Sequence, residues 1–185
     1  WGACKGHDGQ VGLFCVGDGE TYNVPVEMAE TRYGIRVDEH SLHTDGAGAG
    51  EYRGGSGAVR VYRSMNENQT FTASFGRNKW PVWGAAGGKD GSVNYFQFID
   101  ADGTVSEPMG IAARRVMNTN DVVRMVTATG GGYGNPFKRP AEKVAMDVKN
   151  EYITVEQAKA DYGVLVDPET FKVLGLTEER QKAEK

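Results

Sequence analysis

Short apolar runs separated by glycine clusters dominate the first three quarters of the chain, and their period is closer to two than to three or four. Val11–Val16 is an apolar run closed by the turn-like Gly17-Asp18-Gly19. Val24–Glu30 and Ile35–Leu42 read as strands, although Met28-Ala29-Glu30 could equally form a helical turn. Val59 and Val61, with Met65 extending the series, alternate with Arg60, Tyr62 and Arg63, which predicts a half-buried strand. Asn66-Glu67-Asn68 then predicts a hairpin turn into Thr70–Phe75, where Phe71, Ala73 and Phe75 share one face. An aromatic strand follows at Tyr95–Ile99, and Ala101-Asp102-Gly103 sends the chain back as another hairpin. Asn120-Asp121 leads into a further strand, Val122–Val126.

The period changes near the end. Pro140 starts a helix that carries Val144, Ala145 and Val148 on one side. Thr154 and Gln157 form a capping box for a second helix, which runs to Tyr162 and stops at Gly163. Residues 176–185 are mostly charged and read as a solvated helix or a disordered tail. No repeat of fixed period is present. The fold class that follows is β-rich α+β: an antiparallel β-meander body with glycine-rich turns, closed by two short C-terminal helices. Residues 1–166 form the domain and 167–185 a charged tail.

Composition sharpens this in one respect. Glycine accounts for 26 of 185 residues, about twice the usual share of roughly 7%, and it gathers at 45–57, 84–91 and 130–134. With six prolines and apolar runs on either side, such clusters imply tight turns and close backbone approaches rather than a linker. A formal net charge of -4 gives no support to a nucleic-acid or acidic-membrane partner. No apolar run approaches the roughly 20 residues needed to span a bilayer. Cys4 and Cys15 lack a Cys-x-x-Cys partner, so a local zinc ribbon or redox motif is excluded, and free thiols in a reducing cytoplasm are expected.

Candidate chemistry is sparse. A Walker loop ending at Gly88-Lys89 would need glycine at 83 and Ser or Thr at 90, where the chain has Trp83 and Asp90. Gly130–Gly134 is not followed directly by an amphipathic helix, so it is not a dinucleotide fingerprint. His40 and His43, flanked by Asp38 and Asp45, look like a metal cluster, yet in a strand they point to opposite faces. One exposed and one half-buried histidine is the expectation, and no metal is assigned to this chain. His7 is isolated. Spacing alone builds no Ser-His-Asp or Cys-His arrangement; Cys15 reads as a small hydrophobe, and Cys4, beside Lys5, is the better candidate for a reactive thiol. Glu27 and Glu30 would meet on one face of a helical turn. Arg53 lies inside the glycine island that Asp45 opens: it is either a clamp on exposed carbonyls, the simpler reading, or an anion site, the sharper one.

These residues also carry a family resemblance. Asn23-x-Pro25-x-Glu27-x-x-Glu30 resembles a signature of hydantoinase B/oxoprolinase proteins. The stretch from Asp45 through Gly48, Gly50, Arg53, Gly54 and Gly55 to Gly57 resembles their long Gly-Arg motif, and Pro81-x-Trp83-Gly84-x-x-Gly87-Gly88 their Pro-Trp-Gly element. Gly130 to Gly134 with Asn135-Pro136, leading to a two-helix close at Tyr162-Gly163-Val164, completes the series over most of residues 1–166. The chain departs from the family at Tyr33-Gly34, where Tyr-Pro is common, and at Gly46-Ala47, where Ser-Gly is common.

The resemblance implies the C-terminal region of a larger B-type subunit, and an opening on Trp1 without an initiator Met fits such a piece. It implies an ATP-binding A-type subunit and the N-terminal part of the B-type subunit as partners. ATP and a divalent metal are expected there, with no cofactor bound by this chain. The implied chemistry is ATP-dependent hydrolysis of a small cyclic amide, as in N-methylhydantoinase and 5-oxoprolinase. Ketone carboxylation of the acetone or acetophenone type is the alternative, and a non-catalytic β-rich interaction domain the second alternative. Asn23, Glu27, Glu30, Asp45 and Arg53 are the candidates for substrate or interface contact; no catalytic residue is assigned.

Overall fold

The computed structural model describes residues 1–11 and 24–183, so the expected strand at Val11–Val16 and the candidate Asn23 lie outside the described residues, apart from Val11 itself. Four antiparallel strands make the main sheet: β1 (Ile35–His43), β2 (Gly57–Ser64), β4 (Tyr95–Ile99) and β6 (Val122–Val126), in the order β1-β2-β6-β4. A separate ribbon pairs β3 (Gln69–Ser74) with β5 (Ile111–Met117). The chain thus belongs to the mixed α+β class, mostly antiparallel, but it is not a meander.

The alternation in β2 explains how the layers form. Val59 and Val61 share one face with Val122 and Val126 of β6. Tyr62 points the other way, with Val123, Phe96 and Phe98. The β3–β5 ribbon covers that second face, and Phe71 sits edge-on to Phe96 and Phe98 at 5.6 and 5.5 Å between ring centroids. Phe75 contributes a third such contact, to Phe96 at 5.5 Å. Edge-to-face pairs of this kind add about 0.5–1.5 kcal/mol each beyond area burial.

Three expectations need correction here. Val24–Glu30 is not a strand: its helical alternative prevails, and α1 runs Val26–Tyr33 from Pro25 to a left-handed Gly34. Pro25 presets the entry, and the Glu, Met and Ala that follow are good helix formers. The apparent alternation misleads because only Ala29 is buried there. Next, Asn66–Asn68 does not fold β3 back onto β2. The end of β2 is already occupied, since Ser64 N–H donates to Asp121 O (2.8 Å) and its carbonyl accepts from Asn120 N–H (2.8 Å). The chain therefore turns away through a left-handed Asn68 (φ 57°) and builds a second layer. Finally, the return after Ala101-Asp102-Gly103 shrinks to two isolated bridges, Ile99 with Val105 and Phe96 with Met109.

The C-terminal part matches its signals more closely. α2 spans Ala141–Lys149 after Pro140, and α3 spans Val155–Tyr162. Thr154 caps α3 reciprocally with Gln157 (2.8 and 3.1 Å), and Gly163 ends it in the left-handed region (φ 63°). These helices pack with β7 (Val164–Val166), which pairs with β8 (Val173–Leu176). Their core consists of Val144, Val148, Ile153, Ala158, Tyr162 and Val164, with Ala49 plugged in from a glycine island. Residues 178–183 form α4, where the solvated reading fails at one position: Arg180 is buried and donates to Tyr162 O (3.0 Å) and Arg139 O (2.8 Å). Among the described residues no helix is long and apolar enough to cross a membrane.

Sheet and helices meet at a weave of main chain. Segments 1–9, 44–57, 82–91 and 127–136 lie directly against one another. Gly48 N–H donates to Gly130 O, Gly130 N–H to Gly55 O and Gly55 N–H to Trp1 O, all between 2.8 and 2.9 Å. Gly132 N–H donates to Lys89 O (2.9 Å), and Lys89 N–H to Ala49 O (2.7 Å). A Cβ on Gly54 would stand 1.9 Å from Gly130 O, and one on Gly132 2.3 Å from Ala49 O, distances that no methyl group can occupy.

Substitution tests this directly. Gly54→Ala should destabilise the protein by more than about 4 kcal/mol, enough to remove most soluble material. Gly76→Ala, at a surface glycine with nothing within 4 Å of the added Cβ, should stay within about 0.5 kcal/mol of the parent. Urea unfolding of the two variants side by side measures the difference.

Candidate functional site

The weave is held from below by a buried charge cluster. Asn135 caps the short 3-10 turn at Pro136–Lys138 by accepting the Phe137 N–H (2.9 Å), and the chain leaves that turn at Arg139. Arg139 is 2% exposed. Its guanidinium makes a bidentate pair with Asp8 (2.7 and 2.9 Å) and bonds to Asp147 (2.9 Å from Nε), which α2 presents on its buried side. Asp8 also accepts the main-chain N–H of Arg53 (2.7 Å). Arg53 lies 3.5 Å from Asp147, stacks 4.4 Å over the Tyr152 ring and donates to Gly54 O (2.8 Å). Two arginines and two aspartates thus join the first segment, the first glycine island and α2.

The electrostatics follow from burial and pairing. Burial opposes the Arg139 charge, but the hydrogen bond to Asp8 and the charges of Asp147 and Asp8 outweigh it and raise the pKa further. Burial works to raise Asp8, yet the Arg139 bond and charge overcome it and hold the carboxyl below its ordinary value. Burial dominates at Asp147 and raises it, with Arg139 and Arg53 pulling the other way. Burial also raises the Tyr162 hydroxyl, which is enclosed beside this cluster.

The candidate residues separate. Arg53 is buried and reaches one carbonyl, that of Gly54; its charged neighbours are Asp8 and Asp147, not Glu27, Glu30 or Asp45. Glu27 and Glu30 stand exposed on α1, three positions apart and so on one side, and Glu30 accepts the Val37 N–H (2.9 Å). Asp45 is exposed at the mouth of the glycine island. His40 is exposed, whereas His43 is half-buried with its Nε2 3.5 Å from Ser92 Oγ. Burial holds the His43 imidazole below its ordinary pKa, and the nearby Asp45 only partly counters it. Among the described residues no group of three or more His, Cys, Asp or Glu side chains could hold a metal ion. Cys4 is exposed and free.

Most of the main-chain donors that a phosphate cradle would need are already engaged. The N–H groups of Gly48, Gly54, Gly55, Gly130, Gly132 and Gly134 are all donated to main-chain carbonyls, and an anion would have to displace those bonds. Open space lies elsewhere. A cleft of about 310 Å³ separates the main sheet from the β3–β5 ribbon and is lined by Tyr33, Ile35, Tyr62, Gln69 and Phe71 among others. A polar concavity of about 420 Å³ lies over the far face of the sheet, where Arg63 already pairs with Asp38 (2.7 Å).

Asp8, Arg139 and Asp147 did not emerge from the sequence. One signal was available: Asp147 lies between Val144 and Val148 on the apolar side of α2, and a carboxylate there demands a cationic partner. Nothing local points to Asp8, 131 positions from Arg139 in the chain.

Comparison with known proteins follows the same motifs. Residues 1–136 match the Hydantoinase B/oxoprolinase family model. A Pseudomonas sp. strain NS671 protein, provisionally named as the B-type subunit of a D-/L-hydantoinase, is 32% identical over 148 residues, covering 79% of this chain and 25% of its own length. The beta subunit of the Pseudomonas jessenii caprolactamase is 30% identical over 158 residues, covering 77% and 25%. The crystal structure of the ATP-dependent caprolactamase from Pseudomonas jessenii superposes with a TM-score of 0.67 at 29% identity, over 86% of this chain and 27% of that one. A nucleotide-free acetone carboxylase structure has a TM-score of 0.74 at 17% identity, over 96% and 28%, and so shares the fold. The chain spans about a quarter of the length of the curated relatives it matches.

Removing the central guanidinium tests the cluster. Arg139→Met strands the buried Asp147 and leaves the part-exposed Asp8 to solvent, and should cost about 3 kcal/mol, lowering Tm by roughly 10 °C for a chain of this size. Arg53→Ala should cost less, because its ion pair is longer, and should act on stability rather than turnover. Thermal unfolding followed by circular dichroism checks both, and an Arg53→Ala protein of unchanged Tm but abolished turnover would move Arg53 into the reaction site.

Proposed function

The chain belongs to the hydantoinase B/oxoprolinase family, and from that premise we propose that it is part of the B-type subunit of an ATP-dependent cyclic-amide hydrolase. In that setting it supplies scaffold, subunit interface and one wall of the reaction space. Identity of 30–32% with a hydantoinase B-type chain and a caprolactamase beta chain, against 17% with acetone carboxylase, is the observation that carries the choice of hydrolase.

The chemistry of such a reaction explains the need for ATP. Phosphorylation of the oxygen of a lactam or hydantoin activates the carbon that bears it: water adds there, the ring C–N bond breaks with the nitrogen leaving protonated, and a second water hydrolyses the resulting acyl phosphate to carboxylate and phosphate. The A-type subunit and the N-terminal part of the B-type subunit would hold nucleotide and divalent metal. Within this chain, the exposed carboxylates of Glu27 and Asp45 are placed to meet substrate or a partner surface, as is Glu30 beside its bond to Val37 N–H, and Asn23 belongs to the same motif as Glu27. Arg53 is committed to the framework and acts only by holding the glycine island in place.

Ketone carboxylation is the second reading, favoured by the 0.74 TM-score over nearly the whole chain. Incubating the full assembly with ATP separates the two. Phosphate release that depends on a lactam or hydantoin is expected. Release that depends on a ketone and bicarbonate, with none on lactams or hydantoins, would reverse the order. No release with any of them, from a chain that purifies without partners, would favour the non-catalytic domain.

A further inference from the structure

All three tryptophans of the chain are on the outside. Trp1, Trp80 and Trp83 keep 57%, 78% and 70% of their surface exposed, although indole has more apolar area to hide than any other side chain. The backbones of two of them lie close together. The Trp83 and Trp1 main chains press on consecutive glycines: a Cβ on Gly131 would lie 2.2 Å from Trp83 O, and one on Gly130 2.1 Å from Trp1 O. Trp80 lies three residues before Trp83 in the same loop.

The loop is held, not floppy. Gly91 N–H donates to Val82 O (2.8 Å), Gly84 N–H to Asp90 Oδ1 (2.8 Å) and Asn94 N–H to Arg77 O (3.1 Å). The Arg77 guanidinium stacks 5.0 Å over the Trp83 ring and fixes its orientation. Aromatic rings with an arginine, presented on rigid backbone, are the side chains that carry most binding energy at protein interfaces. Their ordering cost is already met by the framework below.

We propose that this tryptophan face is the surface on which the remaining polypeptide of a B-type subunit docks, its apolar pockets receiving Trp80 and Trp83. The proposal rests on reading the chain as part of such a subunit. Two facts select that occupant. The family relatives are about four times as long as the stretch this chain matches, so most of such a subunit lies outside the structure. The Trp1 main chain lies against Gly130 and the Trp83 main chain against Gly131, so polypeptide joined to Trp1 in a longer protein would start near the Trp83 loop.

Hydroxyl-radical footprinting of the complete native assembly tests this, with the urea-denatured assembly as the reference for full exposure. Oxidation of Trp80 and Trp83, read by peptide mass spectrometry, should be slowed about tenfold or more in the native state. Native rates close to the denatured ones, in an assembly larger than this chain, would overturn the docking face and leave the subunit reading intact. A native species no larger than this chain would remove both. In a second arm, Trp80→Ser with Trp83→Ser in the full-length protein leaves the glycine weave untouched, because both rings stand outside it. Limited proteolysis should then cut between this region and the rest about tenfold faster than in the parent; an unchanged rate would also overturn the proposal.

Discussion

Main chain packed directly on main chain, with no side chain between, is the condition on which this structure depends. Four stretches of backbone meet at Gly48, Gly54, Gly88, Gly130 and Gly132 at distances that exclude even one methyl group. Such contact does two things at once. It lets carbonyls and N–H groups from segments far apart in sequence satisfy each other, and it removes the side chains that would otherwise hold those segments apart. Each residue ordered there loses more conformational entropy than a substituted one would, roughly 0.5–1 kcal/mol per glycine relative to alanine. The neighbouring layers offset that loss. Ala49 enters the helical core on one side, and β2 and β6 continue the backbone into the sheet on the other.

The charge cluster solves a problem that the glycine weave creates. Loops without side chains have no hydrophobic means of fixing their position, so their ends must be tied. Arg139 and Arg53 tie them, through Asp8 on the first segment and Asp147 on α2. The arrangement is directional: planar guanidinium groups give fixed geometry where apolar contacts would allow sliding. Buried pairs of this kind are costly to break and of small net benefit to form, so their contribution here is register rather than raw stability.

How much was legible depended on whether the information was local. The capping box at Thr154 and Gln157, the stop at Gly163 and the start at Pro140 all act within a few residues, and each element appears where its signal lies. Strands were visible where one face was buried, as at Val59 and Val61. β5 was invisible: Ile111 and Val116 are exposed, Arg114 and Arg115 interrupt the pattern, and no alternation survives. The antiparallel pairing of β1 with β2 fits the expected meander, but pairing beyond it was not legible, because β2 finds β6 some 60 positions away and so displaces the nearer β3. In the candidate site, Arg53 carried a usable hint through its glycine surroundings, whereas Asp8 carried none. Pro25 invited a strand reading of α1 because Val24, Val26 and Met28 alternate, although none of them is buried.

The same reasoning explains why fold and reaction are supported so unequally. A framework built on glycine contacts constrains backbone shape and leaves most side chains free, so the shape persists to 17% identity with a TM-score of 0.74. The glycine-rich motifs that mark the family are the ones that make this framework, and the N–H groups of Gly48, Gly54, Gly55, Gly88, Gly130, Gly132 and Gly134 are spent on it. They therefore say much about architecture and little about substrate. Tyr33-Gly34 illustrates the point. Gly34 sits at φ 61°, a conformation closed to proline, and an added Cβ would meet the Asn66 side chain at 2.0 Å. A chain with proline there would have to end this helix differently. Differences in reaction within the family are to be sought in such rim positions, outside the shared glycine interior.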